Sequence, residues 1–254
     1  MTVQASARAV TARSAIMRAA ERLYATDGFA GVSIRQIGEA AGQRNKSAVQ
    51  YHFTSRDELV KAILAEHAEA MEVHRMAMMS RFGEPGGMST RDRIRCVVLP
   101  HIEHHIDLGV PSWYGRFLAQ VVVEPALREY AVSVHLERPS LRRLYDATRE
   151  PGEPDPGRAA RREAMTRVLI VHMCAELERD LATGGTTALG RDLATGGTTA
   201  LGRDLATGGT TALGRDLAAG HITAASAAEA WRRLGDDLVT AVCGLLDALR
   251  SDPR

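Results

Sequence analysis

The spacing of apolar residues is the feature that most restricts the fold of this chain. Near the N-terminus, apolar side chains recur every three or four positions, on one face of a helix: Ile16, Ala19, Ala20, Leu23 and Tyr24. The same periodicity returns along the rest of the sequence. The apolar–polar alternation of a half-buried strand never persists, and aromatic residues make up only 4% of the chain. The pattern therefore predicts an all-α protein.

Capping signals and helix breakers give these predicted helices their limits. Asp27-Gly28 ends the first, because glycine adopts the left-handed conformation of a helix end without a steric penalty. Ser33 with Gln36, and Ser55 with Glu58, have the spacing of capping boxes at the start of two further helices. Pro125 should kink or split any helix that contains it. The remaining helices are predicted over residues 46–52, 89–108, 112–134, 139–149, about 158–182 and about 222–250.

Composition limits the class of protein. The 254 residues are 45% apolar and 25% charged, as in an ordinary globular chain of one large or two small domains. No apolar run approaches the roughly 18 residues that span a bilayer, and the first residues lack an apolar signal-peptide core. We therefore expect a cytoplasmic protein without a membrane partner. Cys96, Cys174 and Cys243 lie outside any C-x-x-C pattern and are interpreted as buried thiols in a reducing compartment.

A 12-residue repeat interrupts the helical pattern near the C-terminus. The sequence of residues 179–190 recurs identically at 191–202 and 203–214, and a fourth copy decays by Gly220. Each copy carries three glycines and two leucines, which is too little apolar surface for a packed repeat unit. A solenoid unit normally needs 20 residues or more. We therefore interpret 179–220 as an expanded loop, since lengthening a loop has a small free-energy cost.

The N-terminal segment combines positive charge with the pattern of a helix-turn-helix. Residues 1–56 carry eight basic and three acidic side chains, whereas the whole chain has a net charge of +1. A basic end on a nearly neutral chain is typical of a surface that contacts nucleic-acid phosphates. A long helix, two short helices joined by a tight turn, and another long helix are the arrangement of a DNA reader.

This segment resembles the TetR family of bacterial transcriptional regulators. The resemblance rests on an ordered set of residues that covers about a fifth of the chain: Ile16, Ala19, Ala20, Leu23, Gly28-Phe29, 32–42, 47–53 and 55–59. One departure concerns the segment 43–46, which is one residue longer than the commonest family spacing. Because of this extra residue, the sequence does not determine which residue begins the reading helix.

A DNA-contacting set follows from these positions. Residues that open a recognition helix reach base edges in the major groove, where Arg or Lys suits guanine and Asn or Gln suits adenine. By resemblance, Tyr51 and His52 end that helix, and Ser33 and Arg56 hold phosphates at two helix N-termini. The alternatives are core packing for Tyr51, a simple cap for Ser33 and a solvated charge for Arg35. The whole set is Ser33, Arg35, Arg44, Asn45, Lys46, Ser47, Gln50, Tyr51, His52 and Arg56.

The resemblance also implies an organisation for the rest of the chain. A DNA-binding domain at 1–57 would precede a helical effector-binding and dimerisation domain at 58–254. The last two helices would pair with their copies in a homodimer that binds a palindromic operator. The last helix carries a suitable seam, although that seam could equally pack inside one subunit: Trp231, Leu234, Leu238, Ala241, Leu245 and Ala248. The seven candidates for the effector pocket are also typical of an ordinary core: Met76, Met79, Trp113, Tyr114, Phe117, Leu118 and Val122.

Two alternatives to a ligand-controlled repressor remain open in the sequence. The first is a DNA-binding dimer without a small-molecule effector. The second is a metal-dependent helical enzyme that uses the cluster His101 to His105, in which the two end histidines share a helix face. No zincin order and no cysteine cluster accompany these histidines. We therefore predict a non-enzymatic transcriptional regulator, more a repressor than an activator, without a metal or cofactor.

Overall fold

The computed structural model describes residues 2–43, 45, 47–148, 156–184 and 223–250. Within these ranges all regular structure is helical, which confirms the predicted all-α class. A short 3₁₀ turn, Pro85–Gly87, follows the fourth helix. The α-helices are α1 (Thr2–Gly31), α2 (Ile34–Ala40), α3 (Ala48–His52), α4 (Arg56–Phe82), α5 (Thr90–Leu108), α6 (Tyr114–Val121), α7 (Pro125–Leu136), α8 (Pro139–Thr148), α9 (Pro156–Ala182) and α10 (Ala224–Arg250).

Helices α1, α2 and α3 and the first turns of α4 enclose one apolar core, which we call the reading head. Helix α1 is interrupted at Gly28, whose φ of 71° is not helical, at the position where the sequence predicts a helix end. The interruption lets Phe29 stack on Tyr24, with ring centroids 4.4 Å apart. The core side chains, all 3% exposed or less, are Ile16, Ala20, Tyr24, Ile37, Val49, Phe53, Leu59 and Ile63.

Side-chain caps fix where α2 and α4 begin. At α2, Ser33 Oγ accepts from Gln36 N at 3.3 Å and Gln36 Oε1 accepts from Ser33 N at 2.8 Å, so the predicted capping box is complete. At α4, Ser55 Oγ accepts from Glu58 N at 3.1 Å. The Glu58 carboxylate accepts from Thr54 N instead of Ser55 N, one residue earlier than the capping-box pattern predicts. Both helix starts are therefore set by local sequence.

Prolines and glycines separate the helices of the C-terminal part. The helix predicted over 112–134 is two helices, because Pro125 begins α7 at a position where its missing N–H has no helical acceptor. Helix α10 packs on α5 and α9 through buried Trp231, Leu234 and Leu238. A side chain at Gly235 would lie within 3.0 Å of Leu99, so the glycine permits this close approach. The second half of the predicted seam is different: Ala241 and Ala248 are exposed and Leu245 is half-buried.

Helix α9 extends into the segment that we predicted as loop from residue 179. Leu181 is buried in the same cluster as Leu177, because it continues the apolar row of that helix by one further turn. The first four residues of the repeat, through Ala182, are therefore helical, and they form the end of the helix predicted over about 158–182. Residues 185–222, which contain the other copies, lie outside the described residues.

Helix α4 crosses the predicted domain boundary between residues 57 and 58 without a break. Its first buried residues, Leu59 and Ile63, belong to the core of the reading head, and Met79 belongs to a cluster with Met88 and Leu144 in the C-terminal part. The boundary itself stays a prediction. No helix in the described part of the chain is both long and apolar enough to cross a membrane.

Tyr51 and Phe53, two aromatic residues at the end of α3, provide a test of the reading-head core. Phe53 is 3% exposed and Tyr51 is 82% exposed. We expect Phe53→Ala to lower the free energy of unfolding by about 3–5 kcal/mol, because it leaves a cavity in the core. Tyr51→Ala is the matched control and should change it by no more than about 0.5 kcal/mol. Urea unfolding followed by circular dichroism measures both. Equal losses for the two variants would contradict this core.

Candidate nucleic-acid interface

A side-chain turn fixes the start of α3. Asn45 Oδ1 accepts from Ser47 N at 3.0 Å and from Ser47 Oγ at 2.8 Å, and the helix begins at Ala48. These two hydrogen bonds order the turn before α3, which has no side-chain cap of its own. The helix predicted from residue 46 therefore starts two residues later, which resolves the position that the unusual spacing of 43–46 left open. Arg44 and Lys46 lie outside the described residues.

Helix α3 has one buried face and one open face. Val49 is 2% exposed and lies against α2, where a side chain at Gly38 would be 3.4 Å from its Cγ2. Ser47, Gln50 and Tyr51 are exposed. The alternative that Tyr51 packs in the core is therefore excluded. His52 is half-buried, and its ring meets the Tyr51 ring edge-on at 5.1 Å.

Two predicted DNA-contacting residues at the start of α2 are both exposed. Ser33 is an exposed N-cap at α2. Arg35 is exposed and forms an ion pair of 2.8 Å with Glu39 one turn later. Such a surface pair contributes little to stability, so the Arg35 guanidinium can exchange this partner for a phosphate. The part of each residue in DNA contact stays a prediction.

Arg56 joins three segments of the reading head, which the sequence did not reveal. Its guanidinium donates to the Tyr24 hydroxyl at 3.1 Å, to the Val32 carbonyl oxygen at 2.8 Å and to the Phe29 carbonyl oxygen. It also lies over the rings of Tyr24 and Phe29, 5.1 and 5.6 Å from their centroids. Arg56 therefore ties the start of α4 to the end of α1, in addition to the phosphate contact predicted for it.

A polar bridge links the reading head to the C-terminal part. His67 of α4 lies between two partners: its Nε2 is 3.0 Å from Glu21 Oε2 on α1, and its Nδ1 is 2.7 Å from His104 Nε2 on α5. Beside this bridge, Phe117 of α6 packs near the Phe29 ring, 6.2 Å away between centroids. The bridge has no local sequence signal, because its members are 46 and 37 positions apart along the chain.

The histidine cluster of α5 is divided among several neighbours. His105 stacks on the Trp231 ring at 4.2 Å, and His104 faces His67. Burial, followed by the neighbouring His67, lowers the pKa of His104 to about 3, so its ring is uncharged at neutral pH. No group of three or more His, Cys, Asp or Glu side chains that could hold a metal ion occurs among the described residues. Among the described residues, therefore, no third metal ligand accompanies His101 and His105, as the metal-dependent enzyme would require.

The predicted effector-pocket residues do not converge on one cavity. Leu118 and Val122 line a cavity between α5, α6, α7, α8 and α9. Trp113 lines a separate cleft beside α1 and α4, and Met79 packs with Met88. Tyr114 and Phe117 are buried in the core shared with the reading head, and Met76 is 48% exposed. Helical spacing does not specify which neighbouring helix covers each face. The seven candidate pocket residues are therefore distributed over several sites.

Two of the three cysteines are buried, in keeping with the sequence interpretation, and Cys243 is half-buried. All three are free thiols. Burial raises the pKa of the Cys96 thiol to about 11 and also raises that of Cys174. These two side chains therefore stay protonated and act as small apolar core residues.

Comparison with known proteins identifies the reading head. Residues 16–63 match the family model of the bacterial regulatory proteins of the tetR family. The HTH-type transcriptional repressor AcnR of Corynebacterium efficiens is 31% identical over 71 residues. That alignment covers 28% of this chain and 37% of AcnR, so this chain aligns with well under half of its relative. Over residues 16–63, within its N-terminal reading head, the chain is similar to the tetR family of bacterial regulatory proteins.

Proposed function

We propose that this chain is a sequence-specific DNA-binding transcriptional regulator, and that it acts as a repressor. The open face of α3 is the observation that carries the proposal. Gln50 and Tyr51 are exposed there, while Val49 anchors the opposite face to α2. A helix held in this way can enter a major groove without exposing core residues. The excess of basic residues in 1–56 supplies attraction to phosphates.

Most of the predicted contact residues have a defined part in this proposal. Gln50 reads a base edge, where its amide can pair with adenine, and Asn45 lies just before the same helix. Tyr51 and His52 contact the backbone beside the groove, and Ser33 and Arg35 hold a phosphate at the start of α2. The basic pair Arg44 and Lys46 is assigned to base contact from sequence position alone.

A homodimer would place two reading heads on a palindromic operator. The outer face of α9 supports this: Met165 and Val168, one turn apart, are 46% and 50% exposed. In the second half of the α10 seam, Ala241 and Ala248 are also exposed in the described part of the chain. Large apolar side chains grouped on long helices are typical of a protein–protein contact. Two heads about 34–36 Å apart would match successive major grooves.

We further propose that a small-molecule effector releases the protein from DNA. The effector would favour a conformation in which the spacing of the two heads no longer fits the operator. Helix α4 is suited to transmit this change, because it is continuous from the reading head to the C-terminal part. The His67 contacts to Glu21 and His104 link the same two parts through side chains.

The two alternatives are a DNA-binding dimer without an effector and a metal-dependent enzyme, and only the first remains a candidate. A DNA-binding dimer without an effector uses the same α3 face and remains the second candidate; insensitivity of the DNA complex to small molecules would favour it. The enzyme alternative is not proposed, because the family match is to regulatory proteins.

Selection of genomic DNA tests the function directly. Purified protein is mixed with sheared genomic fragments and excess competitor DNA at near-physiological salt, and bound fragments are sequenced and footprinted. We expect enrichment of one palindromic site, with affinity that falls steeply as salt increases. Salt-sensitive binding without an enriched site would contradict sequence-specific regulation.

Gln50 provides a test of base reading. Gln50→Ala should reduce discrimination between the selected site and a site mutated at the contacted base pair by about 1–3 kcal/mol. Binding to unrelated DNA should stay nearly the same, because backbone contacts are intact. Gln120→Ala on α6 is the matched control, since Gln120 is also an exposed glutamine of a helix. Unchanged discrimination in Gln50→Ala, measured by fluorescence anisotropy, would show that α3 is not the reading helix.

Val168 provides a test of the dimer surface. Val168→Glu places a charge in the proposed contact and should raise the dimer dissociation constant by at least ~10-fold. The matched control is Val73→Glu on α4, because Val73 is also exposed, at 63%. Sedimentation velocity over a concentration series distinguishes monomer from dimer. Equal effects of the two variants, or a wild-type protein that is monomeric throughout, would contradict this interface.

A further inference from the structure

The cavity between α5, α6, α7, α8 and α9 has an unusual set of polar neighbours. Among the described residues its lining is mostly apolar and includes no aspartate or glutamate. The polar groups that line it are two imidazoles, a phenol, a threonine hydroxyl and a guanidinium, and each of them can donate a hydrogen bond: His101, His135, Tyr145, Thr166 and Arg167. A cavity with donors and one fixed positive charge, and without an acid, is complementary to a negatively charged group.

Two buried polar atoms, one of them in this cavity and the other on neighbouring α4, have no hydrogen-bond partner among the described residues. One is Nε2 of His135, which lines the cavity. The other is Nη2 of Arg75, a residue 1% exposed whose guanidinium otherwise donates to Glu72 at 2.8 Å and to the Cys96 carbonyl oxygen at 3.2 Å. A buried polar atom without a partner costs roughly 1–3 kcal/mol. A bound ligand that supplies an acceptor would remove that penalty.

The histidines make the cavity unfavourable for cations. Burial, and next the positive charge of Arg75, lower the pKa of His135 to about 3. Burial and the neighbouring His135 lower the pKa of His101 as well. Both rings are therefore uncharged at neutral pH, and the one charged side chain among the described residues that line this cavity is Arg167, whose positive charge disfavours a ligand cation.

The dimensions restrict the apolar part of the ligand. The cavity is about 60 Å³ and adjoins a second of about 80 Å³, with which it shares Val97, Tyr145 and Thr166. The second cavity is also largely apolar, and its one acid, Glu163, is accompanied by Arg93 and Arg162. The pair therefore has room for a short hydrocarbon or a single ring, and its charge does not oppose an anion.

We propose that this cavity binds a small apolar monocarboxylate, with the carboxylate accepting hydrogen bonds from Arg167 and His135. The hydrocarbon part lies against Leu118, Val122 and the apolar lining of α7 and α9. The proposal deepens the proposed function, because it names the chemical class of the effector and rests on effector control of DNA binding.

A series of matched ligands tests the proposal on the free, full-length protein by isothermal titration calorimetry. The acids are butanoate, hexanoate, octanoate and phenylacetate, each paired with its uncharged amide, and phenethylamine is the cationic counterpart of phenylacetate. We expect at least one acid to bind 10-fold or more tightly than its amide, and the amine to bind more weakly than either. Equal affinity of acids and amides, or tighter binding of the amine, would overturn the assignment.

Substitutions locate the site. Arg167→Gln should weaken binding of the best acid at least 5-fold and leave its amide unchanged, and His135→Gln should weaken it as well. Arg128→Gln is the matched control, because Arg128 is an exposed arginine of α7 outside this cavity. The assignment fails if Arg128→Gln and Arg167→Gln have the same effect. His135→Gln is interpreted only beside its unfolding curve, whereas half-exposed Arg167 provides a variant that leaves the core intact.

A separate measurement distinguishes a failure of the proposed ligand class from a failure of the proposed regulatory function. The best acid is added to the protein bound to its selected DNA site, and release is followed by anisotropy. Acid binding with release supports both the ligand class and the regulatory role. Specific DNA binding without any acid binding overturns the ligand class alone, and acid binding by a protein that selects no DNA site overturns the proposed function alone.

Discussion

Helix α4 is the element on which the rest of the structure depends, because successive turns of it are buried by different parts of the molecule. Leu59 and Ile63 complete the core of the reading head, and Met79 completes a cluster in the C-terminal part. Between them, His67 contacts Glu21 of α1 and His104 of α5. A rigid helix shared by two cores cannot shift at one end without disturbing the packing at the other.

Arg56 and the His67 bridge reinforce this arrangement in different ways. Arg56 holds the end of α1 against the start of α4 through hydrogen bonds to Tyr24, Phe29 and Val32, so the reading head stays together as a unit. The His67 bridge is buried and places the His67 ring against the uncharged His104 ring, which ties the reading head to α5. Buried polar contacts of this kind require accurate geometry, since an unpaired buried group is costly. They therefore suit a protein whose two parts are proposed to move together.

Local sequence was sufficient for much of the fold. Helix starts at Ser33 and Ser55, the interruption at Gly28 and the split at Pro125 each depend on chemistry within a few residues, and each lies where the sequence predicts it. The candidate pocket was much less predictable. Met79, Trp113 and Leu118 have similar spacing signals, yet they lie in three different surroundings. Amphipathic spacing defines an inward face but not the helix that covers it.

The sequence by itself determined the helical class and the order of the elements in the reading head. These depend on periodicity, caps and turns, which act over short distances along the chain. Only the tertiary structure decided that Tyr51 is exposed, that Arg56 joins α1 to α4, and that His101 and His135 meet beside Arg167 around one cavity. Those outcomes depend on contacts between residues far apart in sequence, for which no local pattern exists.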